Sequence, residues 1–446
     1  MPQIAAKRTI FLMALLPALF AFISPVGLRG AHAAAPAAVP QAEAASTQAR
    51  AALDKARASV LQVKTLPVGS DADYSYGSGF AIGTERLIVT NYHVVSKVIL
   101  EPDRYRLEFL RTDGGNGALA IIAIDVVNDL AVVRGDTGAL AALSLDPIIP
   151  DKGERGFSIG FPSNQGLTVT EGIVNGLSED FTRGVIHFSG PINAGMSGGP
   201  ALTPRGQVFG VNVAYQDDSQ LISFVVPASA VSALVERPRQ AAAPTTAALF
   251  DDLGRQLRRY STETIAAWPA GALPVQRIGR FSAPGKPGEF ARCSAEDEND
   301  PDVLYRTTMS RCESKDEIYV DEDLSLGGWK FTHRQIRAPD FGAMRFASLE
   351  QSLLTPWDDD STASRLYKTR WSCQDRIVAL RGGPAKAVLC LRRYSRFEGL
   401  YDVNLKIATL GEPGDALISR LGIHGFGYPE SMALAQRFMD AVSWAP

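Results

Sequence analysis

The hexapeptide Gly195-Met196-Ser197-Gly198-Gly199-Pro200 sets a serine among glycines. Glycine keeps bulk away from the hydroxyl and lets the backbone present N–H groups to an oxyanion forming on a bound carbonyl. A glycine-rich hairpin with an incidental serine has the same composition, so the motif needs partners. A serine hydroxyl is a poor nucleophile unless an imidazole takes its proton. The histidines are His32, His93, His187, His333 and His424. His93 follows Leu87-Ile88-Val89-Thr90-Asn91-Tyr92, a run that delivers it at the end of a strand. His187 falls within another strand-like segment, and His333 and His424 lie far downstream. A carboxylate must then fix the imidazole tautomer. Asn128-Asp129-Leu130-Ala131-Val132-Val133 offers Asp129 ahead of an apolar run, with Asp125 as its rival. Either could instead be a turn aspartate bonded to nearby backbone.

These residues must be carried by short extended segments. Runs of β-type residues separated by turn residues predict strands near 59–64, 79–82, 87–90, 106–110, 118–127, 131–134, 156–159, 167–177, 185–188, 208–214 and 221–226. So many short strands predict a mainly β fold, a sandwich or a pair of barrels. A helix is expected over 246–268, with Leu249, Leu253, Leu257 and Ile265 on one face. A second is expected over 429–442, with Pro429 near its first turn. The region between them mixes strand-like runs with turns and reads as an α+β domain.

The chain order His93, Asp129, Ser197 is that of the chymotrypsin-like double β-barrel and not of subtilisins or α/β-hydrolases. Gly77-Ser78-Gly79-Phe80 followed by Thr90-Asn91-Tyr92-His93-Val94-Val95 resembles the histidine motif of the HtrA (Deg) family of trypsin-like serine proteases. Asp129-Leu130-Ala131-Val132 resembles that family's aspartate motif and selects Asp129 over Asp125. Gly160-Phe161-Pro162, Val169-Thr170-Glu171-Gly172-Ile173-Val174, the serine motif, Gly210-Val211-Asn212 and Phe224-Val225-Val226-Pro227 follow in the family's order. The resemblance implies catalytic His93, Asp129 and Ser197, and an oxyanion hole from the N–H groups of Gly195 and Ser197. Substrate contacts are expected at Ile192, Asn193, Val211, Asn212, Val213 and Ala214, with the strand around 211–215 pairing an extended substrate through main-chain bonds. The resemblance requires neither a metal nor an organic cofactor. No PDZ module is recognisable downstream, since Leu326-Gly327-Gly328 and Arg381-Gly382-Gly383 read as isolated turns. Met196 stands where the family commonly has asparagine and digestive relatives have aspartate. A thioether cannot hold the ammonium group of a newly cut amino terminus, so activation by such a cut is not expected.

Composition agrees with a folded, exported enzyme. Of 446 residues, 46% are hydrophobic and 21% charged, which excludes a largely disordered chain. A formal charge of −3 shows no basic excess for a nucleic-acid partner. Lys7 and Arg8, the apolar run 10–26 and Ala31-His32-Ala33-Ala34 read as a signal peptide cut after Ala33. No membrane span is expected to remain after that cut. The expected domains are a signal peptide 1–33, a flexible leader 34–52, a protease domain 53–235, a linker 236–245 and a C-terminal domain 246–446. In the oxidising compartment so implied, periplasmic or extracellular if the source is bacterial, Cys293 is expected to pair with Cys312 and Cys373 with Cys390. The acidic runs Glu296-Asp297-Glu298 and Trp357-Asp358-Asp359-Asp360 lack the evenly spaced ligands of a calcium site. The function expected is endoproteolysis of extended or unfolded polypeptides, with homo-oligomers left open. The alternative is a protease-like scaffold that binds polypeptide without cutting it.

Overall fold

The computed structural model describes residues 41–85, 87–162, 165–213, 222–237, 242–298, 304–354, 364–411 and 413–445. The expected signal peptide, Ala214 and the 357–360 acidic run lie outside them. A helix, α1 (Gln41–Arg57), occupies part of the segment expected as a flexible leader. Its alanine-rich sequence carries the best intrinsic helix former. Ala52 and Ala56 bury against a core containing Phe80 and Ile82, which fixes the helix in place.

Thirteen strands follow in the first half. Seven form a half-barrel: β1 (Val60–Pro67), β2 (Ser75–Ile82), β3 (Leu87–Thr90), β4 (Tyr105–Leu110), β5 (Asn116–Ala118), β6 (Ala120–Asp125) and β7 (Leu130–Arg134), in the order β5-β4-β1-β2-β3-β7-β6. Six close into a barrel: β8 (Arg155–Gly160), β9 (Thr168–Leu177), β10 (Ile186–Phe188), β11 (Pro200–Leu202), β12 (Val208–Val213) and β13 (Ser223–Pro227). The fold is mainly β, as the turn-punctuated runs indicate.

Both faces of the half-barrel are covered, and its sequence records this. Leu87, Val89, Leu130 and Val132 face the closed barrel, packing with Phe157, Ile159, Leu202 and Val211. Their neighbours Ile88, Ala131 and Val133 face the other way, into a core with α2 (Tyr92–Leu100). Strands buried on both sides read as unbroken apolar runs, and residues 130–133 of β7 are one. The second core continues into the C-terminal half: Leu249, Leu253 and Leu257 join it, as do Ile318, Val320, Leu324 and Leu326.

After α3 (Ala228–Glu236), the helix α4 (Thr246–Ala266) starts at Thr245, whose hydroxyl accepts the Ala248 N–H at 3.2 Å. Its three leucines seat on the shared core, while Ile265 reaches a second one. That second core lies on an antiparallel seven-stranded sheet closed over by the helix Tyr428–Asp440 through Leu434, Ala435 and Phe438. The C-terminal half therefore has its own sheet and core, yet residues 45–446 form one compact unit.

The two cystines are Cys293–Cys312 and Cys373–Cys390. Each joins residues directly opposite on paired strands. One ties the outermost strand Ala291–Glu298 to Arg306–Ser314, and the other ties the opposite outermost strand Ser372–Leu380 to Gly383–Arg393. On the first, Asp297 and Glu298 accept hydrogen bonds from Thr308 and Thr307, a cross-strand use for part of the 296–298 acidic run. No helix among the described residues is long and apolar enough to cross a membrane.

Because Leu253 is fully buried in the core common to both halves, Leu253→Ala should destabilise the protein by about 2–5 kcal/mol. Urea unfolding followed by far-UV signal and by tryptophan fluorescence should show both midpoints falling together. A shift confined to one probe would mean that the halves unfold independently.

Candidate active site

Strand β3 ends at Thr90 and the chain turns at once into α2, so His93 lies in the first turn of a helix. First-turn N–H groups have no acceptor within the helix. Asn91 occupies the capping position but its side chain does not cap. Its Nδ2 instead donates to the Asp129 carbonyl at 2.7 Å, and the Tyr92 N–H donates to the same oxygen at 3.1 Å. The cap comes from Asp129. One carboxylate oxygen accepts the His93 backbone N–H at 2.9 Å, and the other lies 2.7 Å from His93 Nδ1.

A carboxylate only accepts, so the proton of that second bond sits on Nδ1. The neutral ring then keeps Nε2 as its acceptor, the state a general base requires. Asp129 reaches both groups with φ at 55°, the one positive φ of a non-glycine residue among those described. Aspartate is among the few side chains that tolerate this region. Burial pushes the His93 imidazole down, but the charge and hydrogen bond of Asp129 together outweigh it, so the ring titrates above its ordinary 6.5. The side chain stays 27% exposed, enough for another molecule to reach.

Asp125 does different work. It accepts from the Asn128 N–H and Nδ2, both at 3.1 Å, and pairs with Arg237 at 2.8 Å. It shapes the turn that presents Asp129 and holds the start of the expected linker.

The serine loop is pinned from three sides. Ser78 on β2 donates its N–H to the Ser197 carbonyl and its hydroxyl to the Gly195 carbonyl, each at 2.7 Å. The same hydroxyl accepts the Phe161 N–H at 3.0 Å. Asn212 on β12 takes the Gly198 N–H on its carbonyl at 3.0 Å and returns its own N–H to Gly199 at 2.9 Å. Gly195 has φ at 92°, and a Cβ there would lie 2.3 Å from the Phe161 carbonyl oxygen. A Cβ on Gly198 would lie 2.4 Å from Thr90 Oγ1 and 3.0 Å from Asn91 N. The loop thus presses directly on the residues that lead into His93. Met196 is fully buried beneath it, and only a glycine at position 160 admits it, since a Cβ there would lie 2.7 Å from Met196 Cα.

The expected substrate residues divide. Ile192 is half-buried with its N–H on Ser223 Oγ at 3.1 Å, and Asn193 is exposed. Val211 and Asn212 are fully buried. The side chain of Asn212 points inward, its Nδ2 donating to the Ile159 carbonyl at 3.0 Å, and its backbone already serves the serine loop. Val213, at the end of β12, is also nearly buried. Ser78, Gly160 and Asn212 stand within the sequence motifs, but the motifs do not reveal their positioning roles. Small and amide side chains beside glycines were the available signal.

The family profile for the trypsin-like peptidase domain matches residues 77–211, which span His93, Asp129 and Ser197. This stretch is a trypsin-like peptidase domain. A relative from Brucella suis, "Probable periplasmic serine endoprotease DegP-like", is 31% identical over 179 residues, covering 38% of this chain and 34% of its own. "Protease Do-like 1, chloroplastic" of Arabidopsis thaliana is 28% identical over 194 residues, covering 40% of this chain and 41% of its own. A solved serine endoprotease from Yersinia pestis is 26% identical, with a TM-score of 0.37 over 42% of this chain and 65% of that one. The chain thus spans less than half the length of these two relatives, 34% and 41%. HtrA- and DegP-like serine proteases are the neighbours of this domain.

With Asp129 holding the His93 ring against the pull of burial, Asp129→Asn removes the upward influence and leaves the downward one. His93 should then titrate below 6.5 rather than above it. Titration of ¹⁵N-histidine-labelled protein by NMR measures this, and an unchanged value would exclude Asp129 as the source of the shift.

Proposed function

We propose that this chain is an exported serine endopeptidase that cuts extended polypeptide by acyl transfer through Ser197, His93 and Asp129. One observation carries the reading: a single carboxylate caps the helix and fixes Nδ1–H of His93 at 2.7 Å, inside a trypsin-like peptidase domain. Nε2 of His93 accepts the Ser197 proton as the hydroxyl oxygen attacks the substrate carbonyl. The resulting negative charge falls to the N–H groups of Gly195 and Ser197, donors typically worth roughly 3 kcal/mol each in a dry site. Asp129 stabilises the imidazolium, which then gives its proton to the leaving amine, and water releases the acyl group. The family resemblance of the sequence motifs and the periplasmic name of the Brucella relative support export to the periplasm.

The pocket for the residue before the cut is assigned to segments 191–196, 211–215 and 221–224. They contain no acidic side chain, and the described part supplies Ile192, Val213 and Phe224. Phe224 is packed edge-on by Phe181 at 4.9 Å. A buried cation there would lack a partner, whereas an apolar side chain would not need one.

Ser197→Ala and His93→Ala should each abolish hydrolysis of an unfolded protein substrate and labelling by a fluorophosphonate probe. Asp129→Asn should lower kcat by about 10⁴-fold through the wrong tautomer, and Asp125→Asn should have a mild effect. Full activity in Ser197→Ala would end the endopeptidase reading, and greater damage from Asp125→Asn would reverse the choice of carboxylate. In a peptide library the residue before the cut should be small or medium apolar, such as Ala, Val or Leu. Dominant cleavage after Arg would show that the pocket holds an acidic partner not in these segments.

A further inference from the structure

Four features of the C-terminal half converge on α2, the helix that carries His93. The hairpin of Ile318–Asp321 and Leu324–Leu326 lies along its outer face. Lys97, one turn after His93, pairs with Asp321 at 2.9 Å and with Glu322 at 3.1 Å. Tyr92 donates its hydroxyl to the Val320 carbonyl at 3.1 Å, and Tyr367 donates to Asp321 at 2.7 Å. At the far end of α2, Arg396 donates to the Leu100 carbonyl at 2.8 Å, a cation where a helix C-terminus favours one.

Between these anchors the hairpin delivers Tyr319 to the imidazole. The two rings meet edge to face, with centroids 6.0 Å apart and planes at 77°. On the same helix, the Ser96 hydroxyl donates to the His93 carbonyl at 3.2 Å. Tyr319 is only half-buried. A ring in the first turn of a helix, held at Nδ1, can still swing about its side-chain bonds. The edge-to-face contact with Tyr319 adds a second restraint on the ring.

We propose that Tyr319 is a positioning residue of the active centre, supplied by the C-terminal half, which holds His93 on Asp129, so that turnover depends on the hairpin being docked on α2. The inference rests on the proposed endopeptidase reading and adds to it the origin of the imidazole's second constraint. The ring does the holding, and the hydroxyl is secondary.

The test compares full-length wild type with Tyr319→Phe, Tyr319→Leu and Tyr319→Ala. Misplacement of a reacting group by about 1 Å costs on the order of 10²-fold, so kcat should fall roughly 10- to 100-fold in the Ala and Leu variants. KM should change little, because what is lost acts on the reacting group and not on substrate binding. Tyr319→Phe should keep wild-type kcat. Independently of activity, the Nδ1–H proton shared with Asp129 should give a far-downfield NMR signal in wild type and Tyr319→Phe. In Tyr319→Ala it should vanish through exchange with water. Unchanged kcat and an unchanged signal in folded Tyr319→Ala overturn the proposal, as does a Phe variant as damaged as the Ala one. If wild type cleaves nothing, the endopeptidase reading falls, and the proton signal still decides whether Tyr319 holds the ring.

Discussion

The Asp129 carboxylate does two things with its two oxygens. One satisfies a backbone N–H that the start of α2 would leave bare, and the other fixes the His93 ring. Its carbonyl takes two further bonds from Asn91 and Tyr92, so one residue accepts four donors from the entry to that helix. A capping interaction of this kind is typically worth about 1 kcal/mol. Here the same geometry selects the imidazole tautomer, so the stability of the helix start and the protonation pattern of the site are one constraint. The left-handed backbone at Asp129, the turn built by Asp125 and Asn128, and the ion pair of Asp125 with Arg237 all serve to aim that carboxylate.

The remaining elements follow from the need to hold two loops against each other. Ser78, Asn212 and the cramped glycines at 160, 195 and 198 draw the serine loop onto β2, β3 and β8. The half-barrel between them is covered on one face by the closed barrel and on the other by α2, α4 and the 318–326 hairpin. The C-terminal half is therefore part of what keeps the histidine-bearing helix in register. It completes a core that the first half alone would leave open to water.

What the sequence made legible and what it hid differ for physical reasons. His93, Asp129 and Ser197 stand in motifs where glycine freedom, strand ends and apolar runs leave local marks. Strands such as β3 and β7 announced themselves because their burial on both faces leaves a nearly unbroken apolar run, whereas the three-residue β5 and β11 leave none. Helix α2 was hidden, since Val94, Val95, Val98 and Ile99 favour strands, and the aspartate that starts the helix is 36 residues away by 129 − 93. Helix α1 was hidden by an Ala- and Pro-rich neighbourhood that reads as a leader until Ala52 and Ala56 find a core. The inward bond of the Asn212 side chain to the Ile159 carbonyl left no mark, because a motif names a residue without saying which way its side chain points. Tyr319 lies 226 residues from His93 by 319 − 93, and a meeting at that separation leaves no periodic or compositional mark.

The placement of the two cystines has its own consequence. An outermost strand offers a row of unpaired N–H and C=O groups, and when it frays it hands a fresh row to any extended chain nearby. Here both outermost strands of the large sheet are mostly solvent-facing, with little burial to keep them seated. A covalent rung at each margin stops the fraying where side-chain packing would not. The sheet thus keeps the same two borders for as long as the sulfurs stay oxidised. Under reduction, the margins would be the first part of this half to open, and the molecule would become a template for strand exchange with its own copies before its core had loosened.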